Sequence, residues 1–138
     1  MIKALHHIGI ASKNIDKDIG FFSLFGYMPN GEKRMDVSSE IQVQFLKAEG
    51  QPDLELVTNL NKEGPVSPHL QAKRKIFHFA YISDDINADA EKMIRENGGM
   101  FLVPITYVDE DNTDIAAWCY LAFRNSMIVE LVQLKEEQ

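Results

Sequence analysis

The chain repeats itself, and that limits its fold more than any other feature. Residues 5–15 lie over residues 76–86 at an offset of 71, which sets His7 on His78, Ser12 on Ser83 and Ile15 on Ile86 with apolar residues paired around them. A second match closes each half. Leu54-Glu55-Leu56-Val57 lies over Val129-Glu130-Leu131-Val132 at an offset of 75, and the same offset sets Phe45-Leu46 on Tyr120-Leu121. Each copy opens on a strand-like segment with a histidine and ends on one with a glutamate. Such self-similarity calls for an architecture of two like modules.

The segments between these ends read the same way twice. After the first strand, Ser12 or Asn14 can cap a helix whose apolar residues Ile15, Ile19, Phe22 and Leu24 recur at helical spacing, and Gly26 can end it. In the second half Asp84 or Asp85 caps a helix through Ala88, Ala90, Met93 and Ile94, stopped by Asn97-Gly98-Gly99. Strands are expected at about 27–36, 40–48 and 53–58, and at about 99–107, 115–123 and 127–133. The stretch 58–75 holds Pro65 and Pro68 among polar residues and reads as a connector with one helical turn near 68–72. The predicted fold is therefore α+β: two tandem βαβββ modules, at about 1–58 and 76–138, joined by a connector at about 59–75. They form a single domain with a cupped mixed sheet and helices on its outer face.

Alternation along the strands sorts side chains by face. Ile8 and Ile10 oppose His7, and Leu54 and Leu56 oppose Glu55. Phe77, Phe79 and Tyr81 oppose His78, and Val129 and Leu131 oppose Glu130. If the apolar faces pack on the helices, His7, Glu55, His78 and Glu130 converge on the other side. Two imidazoles and two carboxylates suit one divalent ion such as Mn, Fe, Co, Ni or Zn, because the set mixes nitrogen with harder oxygen and lacks thiolate. Two carboxylates also balance the charge of the ion. The repeat is what lifts these residues above background, since a lone strand histidine is usually a core or surface residue.

Other side chains carry less. Gln42 and Gln44 alternate with Ile41, Val43 and Phe45; if the apolar set faces a helix, the glutamines face the cup and are candidates for substrate binding. Cys119 shares the register of Gln44 and reads as an inert side chain lining the cup. His6 reads as packing, His69 as a solvated connector residue, and Lys73-Arg74-Lys75 as a solvated turn. A net charge of −7 without a large basic cluster excludes a duplex-binding surface. No apolar run approaches the ~20 residues of a membrane span. The start MIKALHH lacks a secretory core, and a lone cysteine cannot form an internal bridge, so a cytoplasmic location is expected.

These residues resemble the vicinal oxygen chelate superfamily, which includes glyoxalase I, methylmalonyl-CoA epimerase, extradiol dioxygenases, fosfomycin resistance enzymes and bleomycin-binding proteins. Residues 5–11 look like the opening "DHIGIA" strand of the epimerase branch, and residues 76–86 like its "LHHIAFEVDDI". The segments at Glu55 and Glu130 resemble the two glutamate strands, and residues 64–70 resemble the "SPIAKFL" connector. The resemblance implies a metal cup, usually within a homodimer. It also implies a shared step, in which the metal chelates two neighbouring substrate oxygens and stabilises an enolate or enediolate while a carboxylate moves a proton. Glu130 matches the ligand that can also act as base.

The chain departs from the epimerase pattern twice. Those enzymes take a second carboxylate from the third strand, where Gln44 stands here, and a glutamine cannot accept the proton. The acidic run 109–114 replaces a glycine-rich stretch and would repel an anionic acyl-CoA at the cup mouth. The resemblance thus implies first an isomerase or epimerase of a small carbonyl or acyl-thioester substrate, and second a glyoxalase-like lyase of a thiol hemithioacetal. A non-catalytic binding or resistance protein ranks third.

Overall fold

The computed structural model describes residues 1–111 and 113–136. Its elements are β1 (Ile2–Ala11), α1 (Ile15–Ser23), β2 (Met28–Asp36), β3 (Ile41–Lys47), β4 (Asp53–Asn59), α2 (Ser67–Gln71), β5 (Ile76–Ser83), α3 (Ile86–Asn97), β6 (Met100–Tyr107), β7 (Ile115–Ala122) and β8 (Ile128–Leu134). This is βαβββ twice with one short helix between, as the repeat requires. The strands form a mixed eight-stranded sheet in the order β2-β3-β4-β1-β5-β8-β7-β6. The chain gathers into two compact units, one of residues 7–77 and one of residues 1–6 with 78–138.

In the unit of residues 7–77, β1 runs parallel to β4, while β4, β3 and β2 are successively antiparallel. Asn14 caps α1 by accepting a hydrogen bond from the Lys17 N–H, and Asp16 and Asp18 in the first turn complement the helix dipole. The core beneath α1 is Ile10, Ile15, Tyr27, Leu46, Ala48, Leu54 and Leu56, with Ile8, Ile19 and Phe22 packed on it. Leu24 does not join them. The helix ends at Ser23, and Leu24 lies 78% exposed in the turn before Gly26, where φ is +90°. On the opposite face Val66, Leu70 and Phe77 pack over Ala11, Val57, Ile41 and Val43. Phe77 therefore packs beneath the connector rather than under a module helix. His69 is half-buried with its ring 4.9 Å from that of Phe77, so it is packed rather than solvated.

In the other unit β5 runs parallel to β8, and β8, β7 and β6 are antiparallel in turn. Asp85 caps α3 by accepting from the Ala88 N–H, and Gly98 ends it in the left-handed region, donating its N–H to the Ile94 carbonyl. Under α3 lie Ile86, Ala90, Ala117, Cys119, Leu121 and Leu131, joined by Ile2, Tyr81, Met93, Ile94 and Val129. The start of α3 is held by a buried pair, the Ser83 hydroxyl donating to Asp89 at 2.5 Å. Of the acidic run 109–114, Asn112 lies outside the described residues, and the Asp and Glu side chains are exposed.

Two expectations about the third strand of each module are overturned. Cross-strand partners share a face, and Gln44 pairs with Leu56 while Phe45 pairs with Glu55. Gln44 thus turns toward the α1 core, 3% exposed, and donates from Nε2 to the Gly31 and Phe45 carbonyls. Gln42 pairs with Thr58 on that same side, so neither glutamine shares the face of Glu55. Cys119 pairs with Leu131 and is fully buried under α3, away from the face of Glu130. The error has one physical cause. Ile41, Val43 and Phe45 are apolar because they pack around Ala11, Val57 and His7, so here the more apolar face is not the helix face.

Candidate metal centre

Each unit carries one histidine–glutamate pair. His7 is 1% exposed, and its Nε2 stands 3.8 Å from Glu55 Oε1. In the other unit His78 is 1% exposed and its Nε2 stands 3.3 Å from Glu130 Oε1. The local sequence makes room for both contacts. In the parallel ladders Gly9 lies opposite Glu55 and Ala80 lies opposite Glu130. A residue of little or no side chain, two positions after each histidine, leaves the glutamate free to reach toward the imidazole. Gly9 and Ala80 are themselves repeat mates at the 71-residue offset.

A ring braces each histidine. The rings of Phe45 and His7 form a T-shaped pair with centroids 5.4 Å apart at 88°, and those of Tyr120 and His78 do the same at 5.1 Å and 84°. Phe45 pairs across the ladder with Glu55, and Tyr120 with Glu130, so one aromatic residue flanks both donors in each unit. The sequence contained the signal, because the 75-residue offset lays Phe45 on Tyr120. Trp118 adds a further edge contact to Tyr120 at 5.6 Å.

The donors fit a divalent ion. Two atoms each about 2.1 Å from one ion stand about 3.0 Å apart at a right angle and about 3.8 Å apart at a wide one, and both pairs fall in that range. The donor set is nitrogen and carboxylate oxygen. The one thiol is excluded, because Cys119 is sealed under α3 and burial pushes it up to about 11, out of reach of thiolate chemistry near neutrality.

The eight-stranded mixed sheet with its two βαβββ runs matches the vicinal oxygen chelate fold. The family model of the glyoxalase/bleomycin resistance protein/dioxygenase superfamily matches residues 6–117, and the chain belongs to that superfamily. No curated protein is significantly similar to it in sequence. Among solved structures it resembles methylmalonyl-CoA epimerase from Mycobacterium tuberculosis, with a TM-score of 0.80 and 16% identity over 98% of this chain and 90% of that one. A hypothetical protein from Bacillus halodurans C-125 aligns with a TM-score of 0.74 and 24% identity, covering 97% of this chain and 96% of that one. A Streptomyces coelicolor methylmalonyl-CoA epimerase variant in complex with 2-nitronate-propionyl-CoA aligns with a TM-score of 0.74 and 20% identity over 99% and 100%. At these identities the likeness establishes the fold and not an activity.

Proposed function

We propose that His7, Glu55, His78 and Glu130 hold one divalent ion of the Mn, Fe, Co, Ni or Zn kind. The protein is then a metal-dependent isomerase or epimerase of a small carbonyl or acyl-thioester substrate. The observation that carries the reading is the same buried histidine–glutamate pair in each unit, with His7 Nε2 3.8 Å from Glu55 Oε1 and His78 Nε2 3.3 Å from Glu130 Oε1. Membership of a superfamily that includes glyoxalases supports it, and so does the epimerase-like fold.

When bound, such an ion supplies Lewis-acid polarisation of a carbonyl oxygen, which acidifies the neighbouring carbon. Glu130 is the base in this reading. Glu130 is 6% exposed, so bulk water does not compete for the proton it accepts and returns. Tyr120 and His78 fix its surroundings. Elemental analysis should find about one equivalent of a divalent transition metal in protein purified without chelator, lost from a His7→Ala, Glu130→Ala double variant. Glu130→Gln should slow exchange of the substrate's activated hydrogen in deuterated water by at least about 100-fold, the usual scale of a lost general base. Unchanged exchange would remove Glu130 from the role.

One observation favours a second reading, a glyoxalase-like lyase of a thiol hemithioacetal. The β3 residues on the face of Glu55 are Ile41, Val43 and Phe45, so this strand offers no second carboxylate for a two-base epimerisation. Turnover of hemithioacetals measured beside acyl thioesters separates the two readings. A homodimer and a cytoplasmic location belong to the same proposal; sedimentation at micromolar concentration tests the first. No helix among the described residues is long and apolar enough to cross a membrane.

A further inference from the structure

We propose that Arg34 recognises a carboxylate carried by the substrate at some distance from its reacting carbonyl, which makes the preferred substrates anionic. The inference rests on the metal-centre reading and adds a specificity residue to it. It begins at β2. The register between β2 and β3 shifts between Asn30 and Arg34, with Asn30 opposite Phe45 and Arg34 opposite Val43. Gly31, at φ +79°, turns the chain within the shift, and its carbonyl is pinned by Gln44 from the α1 side. The consequence is a division of charge between the two faces. Lys33 reaches to the helix side, where its ammonium meets Asp16 at 2.6 Å. Arg34 emerges on the other face, the one shared by Val43, Phe45, Val57 and Glu55.

There the guanidinium lies 6.0 Å above the centre of the Phe45 ring, the ring that packs at right angles against His7. Arg34 is exposed, and among the described residues no carboxylate lies within ion-pair distance of it, although this chain is rich in acids. The aromatic face steadies the side chain without consuming its hydrogen-bond donors. A planar fork held over a ring, open to solvent and two ring contacts from His7, suits bidentate capture of a carboxylate.

The test is calorimetric binding to manganese-loaded protein of two matched pairs of 2-oxo acids. One pair is 2-oxoglutarate and 2-oxopentanoate; the other is 2-oxoadipate and 2-oxohexanoate. All share a chelating head, and only the first of each pair carries a distal carboxylate. At least one dicarboxylate is expected to bind 10-fold or more tightly than its partner. Arg34→Met should abolish that advantage while leaving the monocarboxylates within twofold, and Arg34→Lys should keep part of it. Because the site is exposed, these variants should keep the melting temperature of the parent. Equal binding within both pairs, or an equal loss for all four ligands in Arg34→Met, overturns the role of Arg34 alone. If the protein takes up no manganese, the metal-centre reading falls and this inference with it; if it loads manganese and binds none of the four acids, the role of Arg34 is overturned.

Discussion

At the scale of single residues, the two units solve one problem with the same parts. A histidine, a small residue two positions on, a glutamate across the ladder and an aromatic ring beside both recur as His7, Gly9, Glu55 and Phe45, and as His78, Ala80, Glu130 and Tyr120. The small residue can be tested. Ala80 is fully buried, so Ala80→Leu must displace neighbours at a cost of about 1–3 kcal/mol, and the displaced group nearest to hand is Glu130. Denaturant unfolding should show that loss, and metal content should fall with it. Cys119 offers a check on the opposite face. With its thiol held near 11 by burial, it should resist iodoacetamide at pH 7.5 in the folded protein and react once unfolded. Rapid labelling of the native state would contradict its placement under α3.

At the scale of elements, the helix ends were readable because capping chemistry is local. Asn14 and Asp85 stand where the periodic apolar residues begin, and Gly98 where they stop. Replacing Asp85 by Ala should cost about 1 kcal/mol, the usual worth of an N-cap. Gly98→Ala should cost a similar amount, since φ is +65° and a Cβ would come within 2.7 Å of Arg124 Nε. Urea titrations measure both. The strands were legible to within a residue or two for the same reason, bounded by turn residues and marked by alternation. Which face of β3 turned inward was not legible. Both of its faces are buried, one against α1 and one around His7 and the connector, so apolar character does not separate them.

At the scale of the whole molecule, two conditions should move stability together with function. Removing a bound ion takes away the stabilisation of binding to the folded state alone. That is about 2.7 kcal/mol when free metal exceeds its dissociation constant 100-fold, and a chelator should lower the melting temperature accordingly. Acid should act through Asp36 and Asp89. For both, desolvation opposes ionisation, but hydrogen bonds outweigh it: from Ser38 and Ser39 at Asp36, and from Ser83 and the terminal ammonium at Asp89. Both carboxyls are therefore held below 3.8. A carboxyl lowered by folding stabilises the protein above its unfolded value, and that contribution is lost as pH falls through the folded one. Melting temperature should fall below about pH 4, and Asp89→Asn should flatten the fall. An unchanged acid limb in that variant would assign the loss to other groups.

The sequence alone determined the duplicated βαβββ order, the boundaries of most elements, the helix caps and the four residues of ligand type. Each follows from short-range chemistry or from comparing the two halves of the chain. Only the tertiary structure decided which sides of β3 and β7 face inward. It sent Gln44 and Cys119 to the helix cores and set an aromatic ring at right angles against each histidine. It also brought Arg34 onto the face of Glu55. The reason is that facing depends on register between strands distant in sequence, and a two-sided burial or a shifted ladder changes that register without leaving a mark on the local pattern.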